Sequence, residues 1–408
     1  MEKKDKIQLI SLILIVGFVS ALVGVYLLAS QFHRGYPDNT FLFDPHDQFY
    51  DEINLAQIRH DPYRGLIING NLLPLYYLFL SVLNAAGLKV GLALYLIVFL
   101  AFFLAYAWRN LQGATRVESL TNCFVFSFLT YPFLFCLDRA NPEMYEFVLL
   151  ACFVGYHQRG EMLRASTALA VAANFKPFPL FFLLLYVGER RWRDLAVCLG
   201  LSAALLVIAL LAFGTDIGTN IRDLIIILHR YTEELVVGDK GLYFGDSLFG
   251  MLKVFYYLAA RHHREVSVVR EMLLGYLVFT VLAFLGLAAL LTFVEKTYWK
   301  RIALIVLAMD LLPPVSADYK LLELFIPLFL FLNAGRMERT DHAFCVLFAL
   351  LLVPKSFYPV HGSLISISIV LNPLLMTAMG TLIVREGLAA RKREPVGEQS
   401  RTARYAHD

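Results

Sequence analysis

The sequence predicts an all-α, polytopic membrane protein with about 10 to 12 membrane-embedded helices and further short helices in loops on one side. Three observations predict it. Of the 408 residues, 59% are hydrophobic and 17% charged, where a soluble domain carries about a quarter charged residues. The mean hydropathy is +0.63. Several apolar runs reach the roughly 20 residues that a helix needs to cross a bilayer. The net charge of +3 is too small, and too confined to short loops and the last residues, to suggest nucleic acid. Membrane lipids are the partners the composition implies. The five cysteines (Cys123, Cys136, Cys152, Cys198, Cys345) lie in or beside apolar segments and form no CxxC pair. They imply neither a disulfide framework nor a metal site.

The first apolar run, Ile7 to Ala29, follows MEKKDK and reads as a retained span. Its lysines place the N-terminus in the cytoplasm. The acidic stretch 41–65, FLFDPHDQFYDEINLAQIRHDPYRG, then falls outside, with Asp44, His46, Asp47, Asp51, Glu52, His60 and Asp61. Asn71 to Trp108, broken near Ala85 to Lys89, holds one full span and a shorter element. Leu120 to Leu137 is a span ending in DRANPEMYE. Glu146 to Tyr156 continues apolar to the basic turn HQRGEMLR.

Ala165 to Phe175 meets KPFP, and apolar sequence resumes from Leu180 to Val187, before ERRWR. Each half holds about 11 to 14 residues, short of a span. The break therefore lies within the membrane or near its outer surface, with Lys176 in a cavity rather than in lipid. Leu195 to Phe213 spans again. Residues 214–270 form a mixed region with an amphipathic piece at Ile221 to Tyr231 and a short helix around SLFGMLKVFYYLAA. Later spans fall near 271–294, 301–312, 320–334, 342–354 and 362–384. Residues 1–385 form a single domain, and 386–408 a basic, disordered cytoplasmic tail.

Ionisable groups inside spans are costly and are functional candidates by default. Here they gather at turns on the outer side. Asp138, Arg139, Asn141 and Glu143 end one span, and Lys176 sits between two short helices. Asp310, Asp318, Lys320 and Glu323 flank LLPPVSADYK, and Lys355 and His361 lie in PKSFYPVHG. Plainer readings stand beside the functional one. Asn141 suits the cap of a helix starting at Pro142, Lys176 suits a snorkelling lysine, and the acidic stretch suits solvated surface. As chemistry, a carboxylate can take the proton of an acceptor hydroxyl, while Lys and Arg hold the phosphate of a lipid carrier. No P-loop, HExxH, GxSxG or dinucleotide glycine motif is present, so no cofactor is expected. An alternative is a transporter or flippase of a lipid-linked or anionic solute, with Asp138, Arg139 and Lys176 along its path. The lack of a clear internal repeat disfavours it.

The block 138–193 (DRANPEMYEFVLLACFVGYHQRGEMLRASTALAVAANFKPFPLFFLLLYVGERRWR) resembles glycosyltransferase family 87. That family is the alpha-1,2-mannosyltransferase-like, polyprenyl-phosphate-dependent branch of the GT-C membrane glycosyltransferases. GDSLFGMLK (245–253) resembles the family's N-x-SL-x-GLL segment, and PPVSADYKLLELFIPL (313–328) its P-x-S-x-DY segment. The loop before DPY (61–63) resembles its first loop. The likeness runs from about residue 40 to about 335.

The resemblance implies a GT-C-like fold and a hexosyltransferase, inverting, on the outer face of a bacterial cytoplasmic membrane. The donor would be a polyprenyl-phosphate sugar, mannose-like, and the acceptor a lipid or glycan. It implies a first-loop base, ranked Asp51, Asp47, Asp44, and donor-phosphate contacts from Arg139, Lys176 and Lys320. The substrate pocket would be shaped by Asp138, Asn141, Glu143, Ser247, Asp318 and Tyr319, with no metal. The chain departs from the pattern at Glu52 (usually Phe), Ala140 (usually Gly) and Asp246 (usually Asn).

Overall fold

A computed structural model describes residues 2–31, 33, 42–44, 47–58, 71–213, 216–243, 245–260, 265–335, 340–355 and 366–393. His46, His60, the DPY triplet at 61–63 and His361 lie outside the described residues. The elements are helices, with one isolated bridge between Gly245 and Ala317. In chain order they are α1 (Lys3–Ser30), α2 (Tyr50–Ile58), α3 (Pro74–Leu83), α4 (Leu88–Asn110), α5 (Arg116–Phe128), α6 (Tyr131–Arg139), α7 (Glu143–Gln158) and α8 (Met162–Ala173). A 3-10 turn at Phe178–Phe182 leads into α9 (Leu183–Gly188). Then come α10 (Trp192–Ala212), α11 (Ile217–Tyr231) with a π-helical turn at Thr232–Val237, α12 (Leu248–Ala260), α13 (Val266–Phe293) and α14 (Tyr298–Leu311). A 3-10 turn at Asp318–Leu324 precedes α15 (Phe325–Leu332), followed by α16 (Asp341–Leu352) and α17 (Ser368–Arg393).

Helix length sorts with position. Among the described residues, α1, α4, α10, α13 and α17 are the five helices long and apolar enough to cross a membrane. They turn apolar side chains outward, among them Leu12, Ile97, Ile208, Val278 and Leu282, as a lipid-facing surface does. The short helices are inside. α14 is buried from Trp299 through Asp310, and α15 from Phe325 through Phe329. Backbone can break at membrane depth only where protein surrounds it, so the broken segments occupy the centre.

Two elements differ from the sequence expectation. Leu120 to Leu137 is not one straight span: α5 and α6 meet at 61°. Pro132 lies in the first turn of α6, where it has no N–H to continue a helix from α5, and the extended backbone of Thr130 marks the break. Thr130 fills the break, its hydroxyl donating to the carbonyls of Phe126 and Ser127. In addition, α17 continues to Arg393, so residues 386–393 are helical rather than part of a disordered tail. Their Ala, Leu, Arg and Lys are good helix formers, and Glu386 pairs with Lys300 at 2.9 Å.

Polar contacts divide the bundle into two ends. One end holds the start of α1, where Lys6 pairs with Asp341 at 3.0 Å and Lys3 bonds Asn333. It also holds Glu189 between His157 (3.2 Å) and Arg301 (2.8 Å). Burial pushes the Glu189 carboxyl up, but His157 and Arg301 outweigh it and hold it below its usual range. The turns with Arg109, Arg159, Arg164, Arg190 and Arg191 belong to this end. The other end gathers the α6–α7 turn, the KPFP break, α2 and the turn before α15.

Lys6 and Asp341 are both nearly fully buried, and removing one partner of such a pair strands the other charge. Lys6→Met is expected to lower stability by about 3 kcal/mol. Lys6→Met with Asp341→Asn should recover part of it, and thermal unfolding of the purified protein in detergent checks both.

Candidate active site

The site grows from the turn between α6 and α7. Helix α6 ends on Ala140 in the left-handed conformation, at φ 47°, and the Asn141 N–H closes the turn on the Cys136 carbonyl at 3.1 Å. Glycine adopts this conformation without steric cost, which gives a physical reason for a glycine at the Ala140 position. The turn frees the Asn141 side chain for two tasks. Its Oδ1 accepts the Glu143 N–H at 3.0 Å and so caps α7, while its Nδ2 donates to Asp51 Oδ2 at 2.7 Å. Capping and site formation are thus one arrangement.

The described part of the first loop is clamped to this turn. Asp138 accepts the Phe43 N–H on Oδ1 at 2.8 Å, and its backbone carbonyl accepts the Phe49 N–H at 2.6 Å. The Asp44 carbonyl accepts the N–H of Asp47 and of Gln48, which turns the chain into α2. Arg139 then reaches both following acids, Asp47 at 3.0 Å and Asp51 at 2.9 Å, with its guanidinium over the Tyr50 ring. Glu52 faces the opposite side of α2. It is fully buried and accepts from Asn84 at 3.1 Å, so an amide on the chain after α3 supports an acid where phenylalanine was expected.

Lys176, in the KPFP break, enters the same place from α8. Its ammonium sits 2.6 Å from Glu143 and 3.8 Å from Glu146, over the Tyr319 ring. Lys320 follows one residue after Tyr319. It donates to the Met309 carbonyl at 2.9 Å, lies 3.7 Å from Asp310, and covers the Phe178 ring. The whole group is buried, so each charge depends on its neighbours rather than on water.

These pieces enclose a cavity of about 570 Å³, within the range of small-molecule sites. Asp51, Asn141, Glu143, Lys176, Tyr319 and Lys320 line it, and so converge as the sequence suggested. Arg139, Asp47, Asp44 and Asp138 stand behind this wall. Arg139 is occupied by the two acids, and Asp138 holds the loop. Ser247 and Asp318 lie further off. Ser247 caps α12, accepting the Gly250 N–H and donating to the Pro314 carbonyl. Asp318 shares Asn372 with Asp246, so Asp246, where the family has Asn, accepts one hydrogen bond from an amide on α17 through Oδ1.

The cavity also holds residues that sequence reasoning passed over. Asn54 and Gln57 follow Asp51 on α2, and Tyr231 and Leu235 come from the end of α11. Burial pushes the Tyr231 phenol up to about 12, so it stays protonated and able to donate. Glu146 had a readable signal, since it follows Glu143 by three residues and therefore shares its helix face. Asn372 had none, because only the folding of α17 onto the 245–247 loop brings it there.

Residues 73–316 match the model of glycosyltransferase family 87. No curated protein and no solved structure matches the chain.

Lys176→Met would leave Glu143 and Glu146 without their nearest cation. A loss of about 3 kcal/mol is expected, read as a lower unfolding temperature, with partial recovery when Glu143→Gln is added. An unchanged unfolding temperature in Lys176→Met would contradict the pairing.

Proposed function

The chain belongs to glycosyltransferase family 87, and from that premise we propose that it moves a mannose-like sugar from a polyprenyl-phosphate donor to a lipid or glycan hydroxyl, with Asp51 as base. The observation that carries this reading is the meeting of the Asp51 carboxylate with two lysines, Lys176 and Lys320, in a single cavity, where the second acid, Glu143, is already paired with Lys176. Asp51 takes the proton of the acceptor hydroxyl. The oxygen attacks the anomeric carbon, the bond from that carbon to the phosphate oxygen breaks, and polyprenyl phosphate leaves with the electron pair. Lys176 and Lys320 hold the charge that develops on the phosphate.

Arg139 acts as a positioning residue. With Asn141 it fixes both oxygens of Asp51, each of which keeps lone-pair capacity for a substrate hydroxyl. Asp47 shares Arg139 but does not line the cavity, and Asp44 stands further back, so the order Asp51, Asp47, Asp44 is kept. Asn141, Glu143, Tyr319 and Tyr231 offer hydrogen bonds to the sugar. The outer face of a bacterial cytoplasmic membrane is the favoured location. The basic turns collect at the end of the bundle opposite the cavity, and the positive-inside rule supports a cytoplasmic side for that end and an outer side for the cavity. Family membership favours transfer over the transporter reading.

Transfer of labelled sugar from a polyprenyl-phosphate donor by the lipid-reconstituted protein tests the proposal. Asp51→Asn is expected to lower the rate by about 10²- to 10⁴-fold with the fold retained, and Asp47→Asn by far less. Full activity in Asp51→Asn would remove Asp51 from the base role.

A further inference from the structure

Behind the wall of the cavity lies a charge imbalance that the transfer chemistry does not use. Glu143, Glu146 and Glu323 each bring a carboxylate oxygen to one point, the three within 4.8 Å of one another, and all three residues are fully buried. Asp310, also fully buried, lies within electrostatic reach of Glu323. Among the described residues, the cations that face this group are Lys176 and Lys320. Four carboxylates thus meet two ammonium groups.

The hydrogen bonds repeat the imbalance. Both carboxylate oxygens of Glu323 lack a hydrogen-bond partner, while Glu143 and Glu146 lie close enough to hydrogen-bond each other only by sharing a proton, and Glu146 has Lys176 no nearer than 3.8 Å. Glu323 arrives from the 3-10 turn before α15, and Glu143 and Glu146 from successive turns of α7. Two rigid elements therefore aim carboxylate oxygens at one place, those of Glu323 without a partner. A net charge of this size in a buried site is too costly to leave uncompensated.

We propose that Glu143, Glu146 and Glu323 bind one divalent, oxygen-preferring cation of the Ca²⁺ or Mn²⁺ kind. The two missing positive charges match the valence. Hard cations take carboxylate ligands, and oxygens on opposite sides of Ca²⁺ stand about 5 Å apart, so a 4.8 Å spread fits with little side-chain movement. Among the described residues no imidazole or thiolate joins the group, which disfavours softer metals. Glu143 lines the cavity, which provides an entry path. The cation would tie the 3-10 turn carrying Tyr319 and Lys320 to α7, and would free Lys176 from sole charge of Glu143. It stands beside the donor lysines rather than in the place of Asp51.

The test uses binding, which does not depend on sugar transfer. The full chain is purified in detergent, stripped with a chelator and titrated with Mn²⁺, with free Mn²⁺ read by electron paramagnetic resonance. One Mn²⁺ per chain, competed by Ca²⁺ and accompanied by a rise in unfolding temperature, is expected. Glu323→Gln and Glu146→Gln should each weaken binding by at least about tenfold, while Asp47→Asn leaves it unchanged. Absence of saturable Mn²⁺ binding to the wild-type chain would overturn the proposal and assign the compensation to two bound protons. Binding lost in Asp47→Asn but kept in Glu323→Gln would overturn it in favour of the loop acids. Because the wild-type titration decides by itself, poor folding of a variant does not leave the question open.

Discussion

A lysine inside a membrane protein needs an acid or backbone carbonyls beside it, and the pair of Lys176 and Glu143 at 2.6 Å is where the interior of this bundle is anchored. Lys176 stands at the only point of the 165–188 hairpin where the backbone is not helical, and Glu143 opens α7. Each is nearly or fully buried, so neither can turn to water if the other is lost. The pair thereby fixes how deep the KPFP break sits and which face of α7 looks at it. The cavity follows, since the same two residues form its inner wall.

The distribution of helix lengths follows from the same constraint. Lipid accepts only unbroken helix, so α1, α4, α10, α13 and α17 are long and turn apolar side chains outward. Breaks at Thr130, at Lys176 and at the 3-10 turn before α15, which carries Tyr319, are all sheltered by these. Each break releases backbone groups and admits a side chain that an intact helix would have kept apart. Thr130 bonds two carbonyls, Lys320 bonds the carbonyl of Met309, and Cys136 donates to the carbonyl of Tyr319 at 3.3 Å. The broken interior is therefore the means by which polar chemistry enters an apolar bundle.

Much of this was legible in the sequence, for reasons that differ from residue to residue. The KPFP break was readable because two apolar halves of that length cannot each cross a bilayer. The gathering of Asp51, Asn141, Lys176 and Tyr319 followed from placing their turns on one side. The bend at Pro132 was missed because the surrounding hydropathy is continuous and hides a break that proline imposes on backbone geometry. The helical 386–393 segment was missed because its charge suggested solvent, while Lys300, on α14, supplies a partner from afar. The support of Glu52 by Asn84 and of Asp246 by Asn372 was out of reach, because both amides lie in apolar surroundings distant in sequence.

These two amides bear on the departures from the family pattern. Glu52, Ala140 and Asp246 each replace a residue that would sit there at lower cost, and in each case the structure carries a local answer. Glu52 has Asn84, with Gly91 leaving room for that amide where a Cβ would collide with it. Asp246 has Asn372. Ala140 keeps the left-handed turn with its N–H on the Leu137 carbonyl, and Asn141 still reaches Asp51. Substitutions that had simply decayed would leave buried acids without such partners and a turn opened away from the cavity. In this chain Arg139 and Asn141 hold the two oxygens of Asp51, and it is this hold that separates Asp51 from the other acids of its loop.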